Sequence, residues 1–321
     1  MKRFLWFSLQ FLLIAGIFGF LFWNAANAAD EEGKNIFTLL GEQEKRWHFL
    51  VAAFFVQLSA VSLTFIRWRW LVRTLGLECS YRETFRFSSL GFMLNLAPLG
   101  VIGGDTVKAV LIAQRNPHYR AQAVASIFID RFIGLFALFV CGAVFVCWTG
   151  FVFRPEILAQ TFTYLVFALT AVSLIGTAVV FLPFFSKGHL ERLIDTIPLC
   201  GKLLGKFTRA LLLYRHHKRC LLQCVFLSIL AHVIAGISLY WIALGLFLPV
   251  PGVADHIMIH NVANMTTMIP LAAGPYEFVF EQLYQVLTAS VGMGLIIALM
   301  YRLTMIAIAI VGITYFGAVT K

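Results

Sequence analysis

Six long apolar runs leave this chain one environment in which to fold. Phe4–Trp23, Phe49–Ile66, Ala121–Cys147, Phe162–Leu182, Leu221–Leu248 and Leu295–Val319 carry few charges. Wound as a helix, each is about long enough to cross ~30 Å of hydrocarbon. With 60% of residues apolar, 12% charged and a mean hydropathy of +0.87, the chain lies far from the composition of soluble domains. Two further stretches, roughly 85–113 and 257–287, are apolar but interrupted by Pro and Gly. Each reads as a re-entrant pair of half-helices, entering and leaving the membrane on one side. The expected fold is an all-α polytopic membrane protein, with about six spanning helices plus two re-entrant half-helix pairs in a single integral domain over residues 1–321.

The distribution of positive charge supports that topology. With the N-terminus inside, the segments assigned to the cytoplasm hold 18 Lys and Arg and the outer segments hold 4. The first outer loop is acidic, with Asp30, Glu31, Glu32, Glu42 and Glu44. This is the positive-inside bias, and it places both termini in the cytoplasm. A single crossing by either interrupted stretch would invert everything after it and spoil the bias. Lys2-Arg3, an apolar run and Ala26-Asn27-Ala28 also have the form of a signal peptide with its cleavage site, although twenty apolar residues are long for one. A retained first helix is the expectation.

The two halves of the chain read as copies in opposite orientation. Pro98-Leu-Gly-Val-Ile-Gly-Gly-Asp105 is echoed by Pro270-Leu-Ala-Ala-Gly-Pro-Tyr-Glu277, with the prolines and the acids each 172 positions apart. Each copy is followed by an arginine inside an apolar helix, Arg131 and Arg302, 171 positions apart. Repeat one covers about 47–150 and repeat two about 221–319, joined by a helix and a basic cytoplasmic segment over about 160–220. Reversing the orientation between copies makes this an inverted-topology repeat of the kind found in transporters. Part of the connecting segment, with Leu203, Leu204, Phe207, Ala210 and Leu211 at helical spacing between basic residues, suits either an anionic membrane surface or an ordinary cytoplasmic loop.

The candidate site follows from these charges. Pro98 ends the incoming half-helix of the first break, Gly103 and Gly104 permit a turn, and Asp105 is placed to cap the outgoing half-helix. In the second copy Pro270, Gly274 and Pro275 break the chain, and Glu277 lies in the first turn that follows. Capping accounts for either acid alone, but it does not require them at equivalent repeat positions. An arginine deep in a spanning helix costs about 2.5–3.5 kcal/mol and needs a partner or a cavity. Asp130 is beside Arg131 but points about 100° away around the helix, so the expected partner is Asp105 or Glu277. Snorkelling of either arginine to the interface is the alternative. Asn95 precedes the first break as Asn261 and Asn264 precede the second. Two acid–arginine pairs around a central cavity suit a lipid phosphate, and would equally serve as a structural lock between repeats.

Elsewhere the signals are weaker. The six cysteines read as small apolar fillers. Asp255, His256 and His260 have metal-ligand spacing but read as interfacial polar residues, and His232 as a hydrogen-bonded core residue. Arg67-Trp-Arg-Trp70 reads as an aromatic and basic anchor closing a helix at the cytoplasmic face. There is no Walker loop, nucleophile elbow or HExxH motif, so no catalytic residue, cofactor or metal is assigned. Nothing in the chain addresses nucleic acid or specifies an oligomeric state.

Arg67-Trp-Arg-Trp-Leu-Val, Pro98…Gly103-Gly104-Asp105…Lys108, Asp130-Arg131-Phe-Ile-Gly134, and Pro270…Gly274…Glu277 with Arg302 together resemble the flippase-like family, also called the lysylphosphatidylglycerol synthase transmembrane region. The resemblance covers about residues 5–319. It implies a bacterial or archaeal plasma-membrane protein that moves lipids between leaflets. In larger relatives this region precedes a cytosolic aminoacyl-transferase domain. The chain ends at Lys321, just past its last helix, so synthase activity is not expected. One departure is that the family's second break is richer in glycine, where Pro275-Tyr276 stand here.

The leading expectation is a translocator whose lipid phosphate is bound by Arg131, Arg302, Asp105, Glu277, Asn95 and Asn264. Its partners are membrane lipids. A polyprenyl-phosphate-dependent glycosyltransferase is the second reading and needs an acid at the outer face, where Asp255 is the sole one in 249–258. A non-transporting partner of a separate lipid-modifying enzyme, acting through 186–219, is the third. Without an ATP-binding element, lipid movement is either downhill or coupled to an ion.

Overall fold

Long apolar sequence without internal proline becomes helix throughout this protein. The structure, a computed structural model, describes residues 2–28, 35–96, 100–181, 213–214, 217–269, 271 and 273–319. Among the described residues there is no strand. The first half comprises α3 (Trp47–Thr74), α4 (Tyr81–Leu96), α5 (Gly100–Arg115) and α6 (Arg120–Trp148), preceded by α1 (Lys2–Asn27) and α2 (Ile36–Glu42). After α7 (Ile157–Phe181), the second half comprises α8 (Lys218–Leu246), α9 (Val253–Asn264), α10 (Pro275–Thr288) and α11 (Met293–Val319). Helices α3, α6, α7, α8 and α11 are each long and apolar enough to cross a membrane, and Leu12–Asn27 of α1 forms a shorter apolar helix. The chain is an all-α polytopic membrane protein. Most of the basic connecting segment, including 202–211, lies outside the described residues.

Packing between the halves follows one exchange rule. Helix α3 lies along α8, α4 packs on α11, and α6 packs on α9. Swapping α3, α4, α5 and α6 for α8, α9, α10 and α11 in order returns the same three pairings. Small residues make the close crossings. A Cβ at Gly236 of α8 would lie 2.5 Å from Ile257 Cα in α9, and one at Gly312 of α11 would lie 2.8 Å from Ser89 Cβ in α4. The main apolar core runs through α6, α8, α9, α10 and α11, and Leu21 and Ala25 of α1 are buried in it.

The turn between α3 and α4 shows how α4 is started. Ser80 and Glu83 form a reciprocal cap, with Ser80 N–H donating to Glu83 Oε2 (2.9 Å) and Glu83 N–H donating to Ser80 Oγ (3.2 Å). Arg115 Nε at the end of α5 lies 3.1 Å from the same carboxylate. The Ser80 amide, helped by its hydroxyl and by Arg115, holds the Glu83 carboxyl below its usual 4.5. A depressed folded-state value means the stabilisation is complete above pH 4.5 and is lost as pH falls through the lower value. Glu83→Gln is expected to lower stability by about 0.5–1 kcal/mol at pH 7 and to remove that acid-side loss. Unfolding midpoints of the detergent-solubilised protein between pH 7 and pH 3 test both.

Candidate functional site

The chain breaks lie close to where the sequence puts them, but their residues do different work. Helix α4 ends at Leu96 and α5 already starts at Gly100, so Gly103 and Gly104 are helical. Pro98 and Pro270 lie outside the described residues. Asp105 is therefore not the cap of α5 but sits in its second turn. Gly104 is needed for a close approach instead of a turn, because a Cβ there would lie 2.0 Å from Gly91 O and 2.2 Å from Asn95 Oδ1 in α4. Asn95 Oδ1 is buried with no hydrogen-bond partner among the described residues. In the second break Gly274 has φ +102°, a conformation that favours glycine, and Pro275 occupies the first turn of α10. Glu277 Oε2 accepts the Gly274 amide at 2.8 Å, so here the acid does cap its helix. Asn264 ends α9, and its carbonyl accepts from the Thr267 hydroxyl (2.7 Å).

Both arginines pair with the acid of their own half. Arg131 of α6 binds Asp105 of α5 through two hydrogen bonds, Nε to Oδ2 (2.5 Å) and Nη2 to Oδ1 (2.7 Å). Arg302 of α11 donates through Nε to Glu277 Oε1 in α10. In both pairs the acid is the better buried member. The Asp105 and Glu277 side chains are 15% and 0% exposed, against 42% and 25% for Arg131 and Arg302. Each pair thus offers part of a guanidinium and withholds its carboxylate.

A third ion pair lies beside the first. Arg67 of α3 donates through Nε to Asp130 Oδ1 (2.9 Å) and through Nη1 to Ser228 Oγ of α8 (2.8 Å). Arg67, Trp68 and Arg69 are all nearly or fully buried, so they do not form an anchor at the membrane surface. Helix α3 continues to Thr74, which carries this stretch into the protein. Gly134, one turn beyond Asp130, makes room for the guanidinium, since a Cβ there would lie 3.3 Å from Arg67 Nη1. The Asp-Arg-x-x-Gly element therefore has three separate jobs: Asp130 holds Arg67, Arg131 holds Asp105, and Gly134 admits Arg67. Lys108, one turn after Asp105, is 8% exposed with its ammonium 4.3 Å from the Trp68 ring centre. It lies within electrostatic reach of Asp130, Asp105, Arg131 and Arg67.

The second pair has neutral neighbours. His260 Nδ1 lies 3.2 Å from the Tyr276 hydroxyl, and the Tyr276 and Tyr301 rings are 5.9 Å apart. Gln57 of α3 donates to the Tyr301 hydroxyl (3.0 Å). His232 donates through Nε2 to Gly134 O (3.2 Å), as a core histidine should. His256 and His260 are buried instead of interfacial, His256 Nε2 lies 3.2 Å from the Tyr284 hydroxyl, and Asp255 caps α9 through the Gly252 amide. Among the described residues no group of three or more candidate ligands is placed to hold a metal. Sequence reasoning missed Glu281. Its carboxylate, 1% exposed, accepts from the amides of Gly292 (2.5 Å) and Leu295 (2.7 Å) and so fixes the start of α11 to α10.

Compared with families of known proteins, residues 7–312 match the family described as the lysylphosphatidylglycerol synthase TM region. No curated protein and no solved structure matches.

Proposed function

Because the chain belongs to the lysylphosphatidylglycerol synthase transmembrane-region family, whose members are membrane proteins of lipid metabolism or transport, we propose that it moves a phosphate-bearing lipid between leaflets. One observation carries this reading. At equivalent positions in two halves, a withheld carboxylate aims a partly accessible guanidinium from a spanning helix. An arginine presented in that way inside a bilayer has to face a polar cavity, and in a lipid environment the anion that suits its fork is a headgroup phosphate. The Asn95 side-chain oxygen beside Gly104, without a partner among the described residues, adds a polar group to the first site.

In this proposal the halves are an inverted repeat in one membrane domain, about 47–150 and 221–319, and the breaks are re-entrant tips. The host membrane is a prokaryotic inner membrane with both termini in the cytoplasm, and membrane lipids are the partners. Reconstitution in liposomes with labelled phospholipids tests the function. Arg131→Ala and Arg302→Ala are each expected to abolish transbilayer movement. Arg131→Lys and Arg302→Lys, which keep the charge but lose the fork, are expected to retain slow movement. Full activity in both alanine variants would reduce the pairs to a structural lock.

A further inference from the structure

The two pairs are alike in geometry but unlike in charge, and the difference has a consequence for transport. Around Asp105–Arg131 the charges that act on one another are Arg67, Lys108 and the partly accessible Arg131 against Asp105 and Asp130, an excess of one positive charge. An incoming phosphate monoanion brings that cluster to neutrality without further change. Among the described residues, those packed around Glu277–Arg302 bring no second cation. Helix α9 brings His256 and His260, α11 brings Tyr301 and Arg302, and α10 itself adds Tyr276, Tyr284 and Glu281. Glu281 is occupied by the amides at the start of α11, α1 presents apolar Ile17 to Gly274, and α7's Tyr164 is exposed. A phosphate arriving at this pair would leave one buried negative charge uncompensated, an arrangement that costs several kcal/mol in low dielectric.

We propose that the Glu277–Arg302 site takes a phosphodiester headgroup together with one proton on Glu277, so that lipid movement is coupled to proton movement. This rests on the translocator reading and supplies its ion. In the empty site Glu277 is ionised and paired with Arg302. In the loaded site Arg302 faces the phosphate, an O–H bond forms on the Glu277 carboxylate with a proton drawn from water, and the charge of the site stays at zero. The part-buried His260–Tyr276 hydrogen bond involves the residue immediately before Glu277. The Asp105–Arg131 site, with its extra cation, binds the same headgroup without a proton.

The test is the pH dependence of binding by the detergent-solubilised full chain, with dihexanoylphosphatidylglycerol as probe and dimethyl phosphate as the same group without acyl chains. Neither phosphodiester titrates between pH 6 and pH 8, so any dependence belongs to the protein. Uptake of one proton makes the affinity of one class of site fall about tenfold for each unit of pH rise. That slope is expected to vanish in Glu277→Gln and to persist in Asp105→Asn. Dye-monitored proton uptake on adding the probe to the unmutated protein gives the same answer without a variant, at about one proton per chain. Binding with no proton uptake overturns the coupling and leaves the translocator reading standing. No binding of either probe overturns both. Tighter binding of the lipid than of dimethyl phosphate assigns the site to headgroups, and equal binding assigns it to free phosphodiesters, each with its proton.

Discussion

Asp130→Ala is expected to destabilise the fold by about 3–5 kcal/mol, the largest effect of any single charge removal in the described structure. The substitution leaves Arg67, 7% exposed, without the carboxylate that accepts its Nε at 2.9 Å. It also leaves Lys108, 8% exposed, without its principal counter-charge. Two buried cations then face each other, and the Ser228 hydroxyl that still accepts from Arg67 carries no charge to offset them. The measurement is an unfolding titration of the purified protein in mixed micelles. The double variant Arg67→Met with Asp130→Leu, which removes both charges and keeps the volume, is expected to recover most of the loss. An unchanged midpoint for Asp130→Ala would sink the assignment of this pair as the support of the first site.

Gly104→Ala is expected to be nearly as severe, at about 1–3 kcal/mol or more, although it adds a single methyl group. That methyl would lie 2.0 Å from a backbone oxygen of α4, and backbone does not yield as a flexible side chain does. Helices α4 and α5 would have to part, and Asp105, the next residue, would move with them away from Arg131. Gly176→Ala in α7, where a Cβ meets nothing within 4 Å, is the control and should leave the midpoint unchanged. Equal midpoints for the two variants would mean that the crossing is looser than described. Lipid movement should fall with Gly104→Ala even where the protein still folds, because the acid–arginine geometry depends on the crossing.

The parts of this architecture that were legible in the sequence are those that a bilayer enforces. Length and hydropathy locate the spanning helices, and proline with glycine locates the two interruptions. An arginine within apolar sequence demands an acid, so Asp105 and Glu277 stood out as partners, but that Arg131 takes Asp105 and Arg302 takes Glu277 depends on which helix lies alongside. The rest escaped for identifiable reasons. Arg67 stands at the end of an apolar run, where an interfacial anchor and a buried ion pair look alike; only the continuation of α3 to Thr74 separates them. Glu281 pairs with main-chain amides, and an acid satisfied by backbone leaves no complementary residue to find. Gly103 and Gly104 pointed to a turn because glycine serves both turns and close approaches. The choice between them depends on which helix lies opposite.

Arg131 and Arg302 each follow their acid by a short stretch of chain, 26 and 25 residues, whereas Arg67 precedes Asp130 by 63 residues within the same half. Because the ribosome makes Asp105 and Glu277 first, Arg131 and Arg302 reach the membrane when their counter-charges are already there. Each of the three pairs is completed within one set of four helices, so neither set waits for the other to supply an acid. The seams formed later, α3 with α8, α4 with α11 and α6 with α9, can then close mainly through shape and small residues. Biogenesis is in this way divided into two insertions, each with its ion pairs complete, followed by one docking event.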